Sequence, residues 1–96
     1  MFTELNIIYP NKNCNQQILE LLKNEKELFV KIKNCLNYSI YNDTYSNKII
    51  FTIKWHSKED MQIANEDFSK QRKKNKEKLM KFQNFPTEVF YLDEIC

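Results

Sequence analysis

KIIFTIKWHSKEDMQIANEDF, the stretch from Lys48 to Phe68, decides the fold of this chain. From Ile49 to Trp55 every second residue is apolar, and Lys48, Thr52, Lys54 and His56 share the opposite parity. This period of two is typical of a strand with one buried face. Ser57 and Asp60 then form a capping-box pattern, in which the serine accepts from the amide three residues on. A strand is therefore predicted to turn directly into a helix.

The predicted second helix begins at Ser57 and carries Met61, Ala64 and Phe68 at helical spacing. This apolar stripe would fold back onto the buried face of the preceding strand. The stretch from Ser69 to Lys78 is very polar, so the helix either runs on to about Phe82 or breaks within that stretch. Pro86 stops it.

The rest of the chain supplies three more strands and another helix. Apolar spacing and turn residues predict these elements: a strand from Phe2 to Tyr9, a helix from about Cys14 to Lys33, a strand from Leu36 to Tyr41 and a strand from Thr87 to Ile95. The chain has no glycine, so left-handed backbone positions must fall to Asn or Asp. The expected positions are Asn34, Asn42, Asn47 and Asn84.

The predicted order, β-α-β-β-α-β, indicates an α+β fold of the ferredoxin-like type. Right-handed crossovers place both helices on one face of a four-stranded antiparallel sheet, and residues 1–96 form one domain. The other face of the sheet stays uncovered. The chain has seven Phe, five Tyr and one Trp, more aromatic area than one small core readily hides. A homodimer formed face to face is the simplest way to cover this area.

Composition excludes several functional classes. The formal net charge is only +2, which gives no strong argument for nucleic acid or an anionic membrane. No leader pattern is present, and no stretch approaches the roughly 20 apolar residues that span a membrane, so a cytoplasmic location is expected. Cys14, Cys35 and Cys96 are far apart, which favours reduced thiols over a disulfide framework or a metal site.

The passage from Ile53 to Asp60 contains the pattern Trp55-x-Ser57-x-Glu59 at the end of a strand, and Phe68 lies in the helix that follows. This junction is similar to that of the antibiotic-biosynthesis-monooxygenase-like family, in the dimeric α+β barrel group. The resemblance covers nearly the whole chain. It implies a dimeric barrel of two four-stranded sheets.

The resemblance also implies a site. Asn6 lies where several family enzymes hold substrate or oxygen, and Trp55 matches the strand-end tryptophan, so both are predicted to be catalytic. Strand parity, and not the resemblance, places Tyr38 and Tyr91 in one cleft. These two residues and Phe68 are predicted to bind the substrate, a small aromatic or quinonoid molecule. The implied activity is a cofactor-free monooxygenase that needs neither metal nor flavin, in which Asn and Tyr donors stabilise a substrate anion.

Haem chemistry is not expected from this sequence. Haem-degrading members of the family ligate iron through a histidine in the second helix, and the stretch from Gln62 to Glu66 contains none. His56 is the chain's one histidine, and its place beside the helix cap favours a solvated or capping role.

A second hypothesis is a non-catalytic dimeric module that binds a small ligand or another protein. Under it, Trp55 is a core or interface anchor and the amide of Asn6 bonds to backbone. An RNA-binding module shares the same element order, but its central strand needs glycine and exposed aromatic residues that this chain lacks. The basic run from Lys70 to Lys81 is the one feature left in favour of RNA. It could bind phosphate groups, but the four-residue spacing between its lysines and Glu77 favours a solvated helix face.

Overall fold

The computed structural model describes residues 1–96 and confirms the predicted β-α-β-β-α-β order. The elements are β1 (Phe2–Ile8), α1 (Asn15–Phe29), β2 (Cys35–Asn42), β3 (Ile49–Trp55), α2 (Lys58–Asp67), α3 (Ser69–Met80) and β4 (Glu88–Asp93). The four strands form one antiparallel sheet in the order β2-β3-β1-β4. The α+β, ferredoxin-like assignment is therefore correct.

The central strands β1 and β3 alternate as predicted. Ile49, Phe51, Ile53 and Trp55 all point into the core, and the residues between them are half-buried. On β1 the even positions face the same side as this row, and they include two polar residues, Glu4 and Asn6. The helix-covered face of the sheet is therefore apolar along β3 and mixed along β1.

Helix α1 ends at Phe29, four residues before the predicted end at Lys33. Apolar spacing continues to Ile32, but the chain has already turned, because the Ile32 amide donates to the Phe29 carbonyl oxygen at 2.9 Å. Asn34 then adopts the left-handed backbone conformation (φ 67°), as predicted for a chain without glycine. Asn13 (φ 64°) is the other such position, and the expectation for Asn42, Asn47 and Asn84 was wrong.

The predicted cap at Ser57 is present. Its hydroxyl oxygen accepts from the Asp60 amide at 3.2 Å, and the hydroxyl group donates to the Asp60 carboxylate at 2.7 Å. Asn34 donates to the same carboxylate at 2.9 Å. The hydrogen bonds from Ser57 and Asn34 hold the pKa of Asp60 below its usual value. The cap therefore ties the turn after α1 to the start of α2.

The predicted break in the second helical segment occurs at Phe68, between α2 and α3. The Phe68 ring lies 6.2 Å from the Phe29 ring, so the bend is held against the core. Only Asn75 and Leu79 are buried on α3, whose other side chains are mostly exposed. This polar helix covers the sheet incompletely, and all six residues of β4 stay exposed.

The other face of the sheet has no helical cover. Leu5 and Ile7 on β1 lie beside Phe90 and Ile50 in the neighbouring strands, and Leu92 extends the same surface. Phe90 and Leu92 are both exposed. We call this surface the outer face. No helix of this chain combines the length and the apolar character that crossing a membrane requires.

Candidate functional site

An open cleft of about 370 Å³ lies where α3 passes over β1 and β4. Glu4 and Asn6 form part of its floor from β1, and Val89 and Tyr91 form a wall from β4. Tyr91 pairs with Glu4 in the strand register, and its ring stacks on Phe2 at 6.2 Å between centroids. The volume falls within the range of small-molecule sites.

An ion pair between the partly buried Arg72 and the buried Glu4 joins β1 to α3 at the cleft floor. Both Arg72 terminal nitrogens donate to the Glu4 carboxylate, at 2.9 and 3.3 Å, and Glu4 is only 2% exposed. The Asn6 amide donates to the same carboxylate at 3.0 Å, and Arg72 also donates to the Asn65 side-chain oxygen at 2.7 Å. This two-pronged geometry is characteristic of strong arginine–carboxylate pairs.

A second buried carboxylate, Glu25 of α1, completes the floor. It accepts from the Tyr38 hydroxyl at 2.9 Å and from the Asn75 amide at 2.8 Å. Gln71 donates to the Asn75 side-chain oxygen at 3.1 Å, so α3 holds Asn75 in place. The nearest cationic atom to Glu25 is an Arg72 nitrogen at 3.9 Å. Glu25 therefore bonds to neutral donors, whereas Glu4 bonds to a guanidinium.

These contacts shift two pKa values. Burial, followed by the adjacent Glu25 charge, raises the pKa of Tyr38 above the ordinary tyrosine range, so this phenol stays protonated as a donor. Burial alone would lower the pKa of Arg72, but the hydrogen bonds and charge of Glu4 and the charge of Glu25 outweigh it and raise that pKa. Arg72 is therefore a permanent cation, and it also lies over the Phe29 ring at 5.1 Å.

The structure brings only two of the five predicted site residues to the cleft, Asn6 and Tyr91. Trp55 is fully buried, with its ring 6.0 Å from Phe29, and it does not line the cleft. Its indole nitrogen is the one buried side-chain polar atom without a hydrogen-bond partner. This placement matches the core-anchor interpretation of Trp55 rather than the catalytic one.

Tyr38 and Phe68 also lie outside the cleft lining. Tyr38 is fully buried, stacks on Phe51 at 5.6 Å, and reaches the site only through its hydroxyl on Glu25. Phe68 is held against Phe29 at the bend. Strand parity was correct for Tyr38, because it faces the helices, but it could not tell core from cleft. Tyr38 therefore does not line the cleft beside Tyr91, although strand parity predicted the two in one cleft.

Sequence reasoning missed Glu4, Glu25, Arg72 and Asn75. Two of them carried a signal. Glu4 shares the parity of the buried β1 residues, and Glu25 falls on the apolar stripe of α1 with Ile18, Leu22 and Phe29. A charged residue on a buried face needs a partner, so each position pointed to a buried polar cluster. Nothing in the sequence pattern identified Arg72 as that partner.

His56 and the lysine run do not contribute a proton-transfer group to the floor. His56 is 73% exposed and lies 3.6 Å from Asp60 at the helix cap. Most lysines of α3 point to solvent, but Lys73 and Lys76 line the cleft. No cluster of three or more His, Cys, Asp or Glu side chains has a geometry that could hold a metal ion.

Comparison with known proteins gives structural matches. No family model matches this sequence. A search of the curated proteins finds no relative. Among solved structures, Rv0793 of Mycobacterium tuberculosis superposes with a TM-score of 0.88 at 12% identity, covering 99% of this chain and 95% of the other. An antibiotic biosynthesis monooxygenase superposes with a TM-score of 0.81 at 16% identity over the full length of both chains.

A third match is a monooxygenase from Streptomyces coelicolor in complex with nanaomycin D. Its TM-score is 0.82 at 12% identity, and the match covers 99% of this chain and 88% of the other. Identities this low establish a shared fold and no more. The chain thus has the fold of antibiotic-biosynthesis-monooxygenase-like proteins, and the resemblance inferred from the Trp55 junction is confirmed at that level.

Proposed function

We propose that this protein binds a small aromatic or quinonoid molecule in the cleft beneath α3 and oxidises it with molecular oxygen, without metal or flavin. The observation that carries the proposal is the open cleft of about 370 Å³ with Asn6, Arg72 and two carboxylates at its floor. The monooxygenase-like fold supports it, as does the nanaomycin D complex of one structural neighbour.

The floor offers the groups that this chemistry needs. A phenolic substrate must lose a proton before it can pass electrons to oxygen, and the carboxylate of Glu4 or Glu25 can take up that proton and return it to the departing water. Asn6 uses one amide hydrogen for Glu4, so its other amide hydrogen can stabilise the resulting anion. One oxygen atom enters the ring as the new quinone carbonyl, and the other leaves as water with two substrate hydrogens. The substrate supplies all four electrons, so no external reductant is required.

The test is oxygen uptake by the purified protein with anthrone, whose oxidation product is a quinone. We expect one oxygen molecule to be consumed for each quinone formed. Asn6→Ala should lower kcat/KM on the order of 100-fold, because it removes a donor at the developing anion. Asn37→Ala is the matched control, because Asn37 is exposed on β2 and its side chain bonds only to the Ser39 hydroxyl. Equal activity of the two variants would rule out Asn6 as a catalytic residue.

A non-catalytic binding module is the second candidate, and one observation favours it. The floor groups already satisfy one another, since Glu4 bonds to Arg72 and Asn6, and Glu25 bonds to Tyr38 and Asn75. Calorimetric titration with nanaomycin D separates the two candidates when it is combined with oxygen uptake. Binding without oxygen consumption by any phenolic substrate supports the module, and turnover supports the enzyme.

A homodimer completes the proposed function, with the outer faces of two sheets packed together as a barrel. The exposed Phe90 and Leu92, beside Leu5 and Ile7, support it, because small proteins rarely leave such a surface open to water. Light scattering should give twice the 11.7 kDa of one chain. Phe90→Glu should shift the mass to that of a monomer, and Tyr45→Glu, in an exposed loop, should not. A monomeric unaltered chain would contradict the barrel.

A further inference from the structure

The two ends of the cleft carry opposite charge. At the floor, the charged groups are the two buried carboxylates of Glu4 and Glu25 and the guanidinium of Arg72, so acid exceeds base there. At the mouth, the charged groups that line the cleft are Lys73 and Lys76 of α3, both exposed to solvent. A ligand that spans the cleft therefore meets hydrogen-bond acceptors at its inner end and cations at its outer end.

We propose that the cleft selects an aromatic acid, with its ring hydroxyl directed to the floor and its carboxylate at Lys73 and Lys76. This inference rests on the proposed function, because it names the class of small aromatic molecule that the same site takes. It adds an orientation and two residues that determine specificity.

The floor favours a ligand hydroxyl over a ligand carboxylate. Glu25 accepts hydrogen bonds from the uncharged Tyr38 and Asn75, and the nearest Arg72 nitrogen lies 3.9 Å away. A ligand carboxylate placed there would face a buried like charge, whereas a hydroxyl could donate to a carboxylate oxygen. Arg72 does not change this preference, because its two terminal nitrogens are already directed to Glu4.

The mouth favours an anion. Lys73 and Lys76 are three residues apart on α3, which places them on the same side of the helix. Neither lysine lies within ion-pair distance of a carboxylate, since the three ion pairs in the chain involve His56 and Arg72. Both ammonium groups are therefore free to bind a ligand carboxylate at the cleft entrance.

The walls between the two ends suit an aromatic ring. Leu22 and Phe51 line the inner part beneath the helices, Leu79 lines the α3 side, and Val89 and Tyr91 line the β4 side. Apolar walls with a few convergent polar groups are typical of sites for small organic ligands. The ring thus has apolar contacts along its length, while the polar groups at both ends fix its direction.

Calorimetric titration with three matched probes tests this inference. In para-coumarate the hydroxyl and the carboxylate lie at opposite ends of the molecule, cinnamate lacks the hydroxyl, and the primary amide of para-coumarate lacks the charge. We expect para-coumarate to bind most tightly. Changing Lys73 and Lys76 together to Gln should weaken its binding about 10-fold and leave binding of the amide unchanged.

The control is the double variant Lys70→Gln with Lys74→Gln. It alters the same helix and the same net charge, but neither residue lines the cleft. Its affinity for para-coumarate should equal that of the unaltered protein. Equal weakening in both double variants would show general attraction to a basic helix and would overturn the inference, as would equal affinity for the acid and the amide.

Two further outcomes separate this inference from the proposed function. If the amide is bound and oxidised as well as the acid, the aromatic-acid preference is wrong while the activity stands. If neither hydroxylated probe binds and anthrone is not oxidised, both are wrong. Higher salt should weaken para-coumarate binding and not amide binding, because exposed charges are screened. Loss of both affinities to the same extent would contradict an ionic contact at the mouth.

Discussion

The two halves of the helix-covered sheet face differ in what lies above their strands. Over β2 and β3, helix α1 and the start of α2 bury Trp55, Tyr38 and Ile53 completely. Over β1 and β4, the polar helix α3 leaves an open cleft with Glu4 at its floor. We call these regions the sealed half and the open half.

The difference comes from both the helices and the polar residues of β1. Helix α1 contributes a continuous stripe that includes Leu22 and Phe29, whereas α3 buries only Asn75 and Leu79. A sheet face with polar residues at its centre cannot be sealed by apolar packing, because an unpaired buried charge costs several kcal/mol. The polar residues of β1 are therefore covered by a polar helix that pairs with them through side-chain hydrogen bonds. Because this helix buries few apolar side chains, the space beside it is left open as the cleft.

The largest expected effect comes from truncation in the sealed half. Trp55→Ala should lower the free energy of unfolding by about 3–5 kcal/mol, since it leaves a large cavity beside Phe29. Urea denaturation followed by circular dichroism measures this loss. Phe85→Ala is the control, because that ring is exposed, and it should cost less than about 1 kcal/mol. A loss for Trp55→Ala no larger than the control's would contradict the core-anchor role.

In the open half, the free energy of unfolding should depend on the loss of a charged partner more than on the loss of side-chain volume. Arg72→Met leaves Glu4 buried without its cation and should cost about 3 kcal/mol. Adding Glu4→Gln to that variant should recover part of the loss, because the uncompensated charge is removed. Denaturation curves of the two single variants and the double variant form a cycle that measures the coupling. Simple additivity would show that the pair does not interact.

The Tyr38 hydroxyl, which donates to Glu25, links the sealed half to the open half. Alkaline pH should weaken this link. The pKa of Tyr38 is raised in the folded protein, so the protonated phenol stabilises the fold fully below about pH 10, the ordinary value. Above that pH the unfolded chain loses this proton first, and stability should fall by up to about 1.4 kcal/mol per pH unit. Tyr38→Phe should flatten this slope.

The control for the alkaline slope is Tyr41→Phe, which changes an exposed tyrosine on the same strand. Its stability should fall with pH as steeply as that of the unaltered protein. If Tyr38→Phe keeps the full slope, other groups cause it, and the hydroxyl on Glu25 is not the link between the halves.

The smallest effect concerns the starts of the two consecutive helices. Ser57→Ala should cost about 1 kcal/mol, because it removes the side-chain cap of α2. Ser69→Ala at the start of α3 should cost only a few tenths of a kcal/mol, since α3 has no side-chain cap. Thermal unfolding followed by circular dichroism compares the two, and equal losses would contradict the capping role of Ser57.

The fold could be predicted from the sequence because its signals are local. The alternation from Ile49 to Trp55 and the Ser57 cap each span a few neighbouring residues, and both are present as expected. The end of α1 was misplaced, because apolar spacing persisted to Ile32 after the helix had closed. Local patterns thus give elements reliably and their boundaries less so.

The candidate site was only partly predictable, because its contacts are not local. Glu4 and Arg72 are 68 residues apart in the chain, and neither position alone reveals the other. In the sheet Asn6 and Trp55 lie on the same face, but strand parity gives only which residues of one strand share a face. Strand parity could not show that α3 leaves a cleft above Asn6 while α1 and α2 bury Trp55, since this depends on how three helices pack.

The position of the chain's one tryptophan has a spectroscopic consequence. Trp55 is buried in the sealed half, away from the cleft, so its fluorescence emission should shift to longer wavelength when the core unfolds. A ligand in the cleft does not touch the indole. The emission wavelength therefore reports whether the core is folded, independently of whether the cleft is occupied, within the same unlabelled sample.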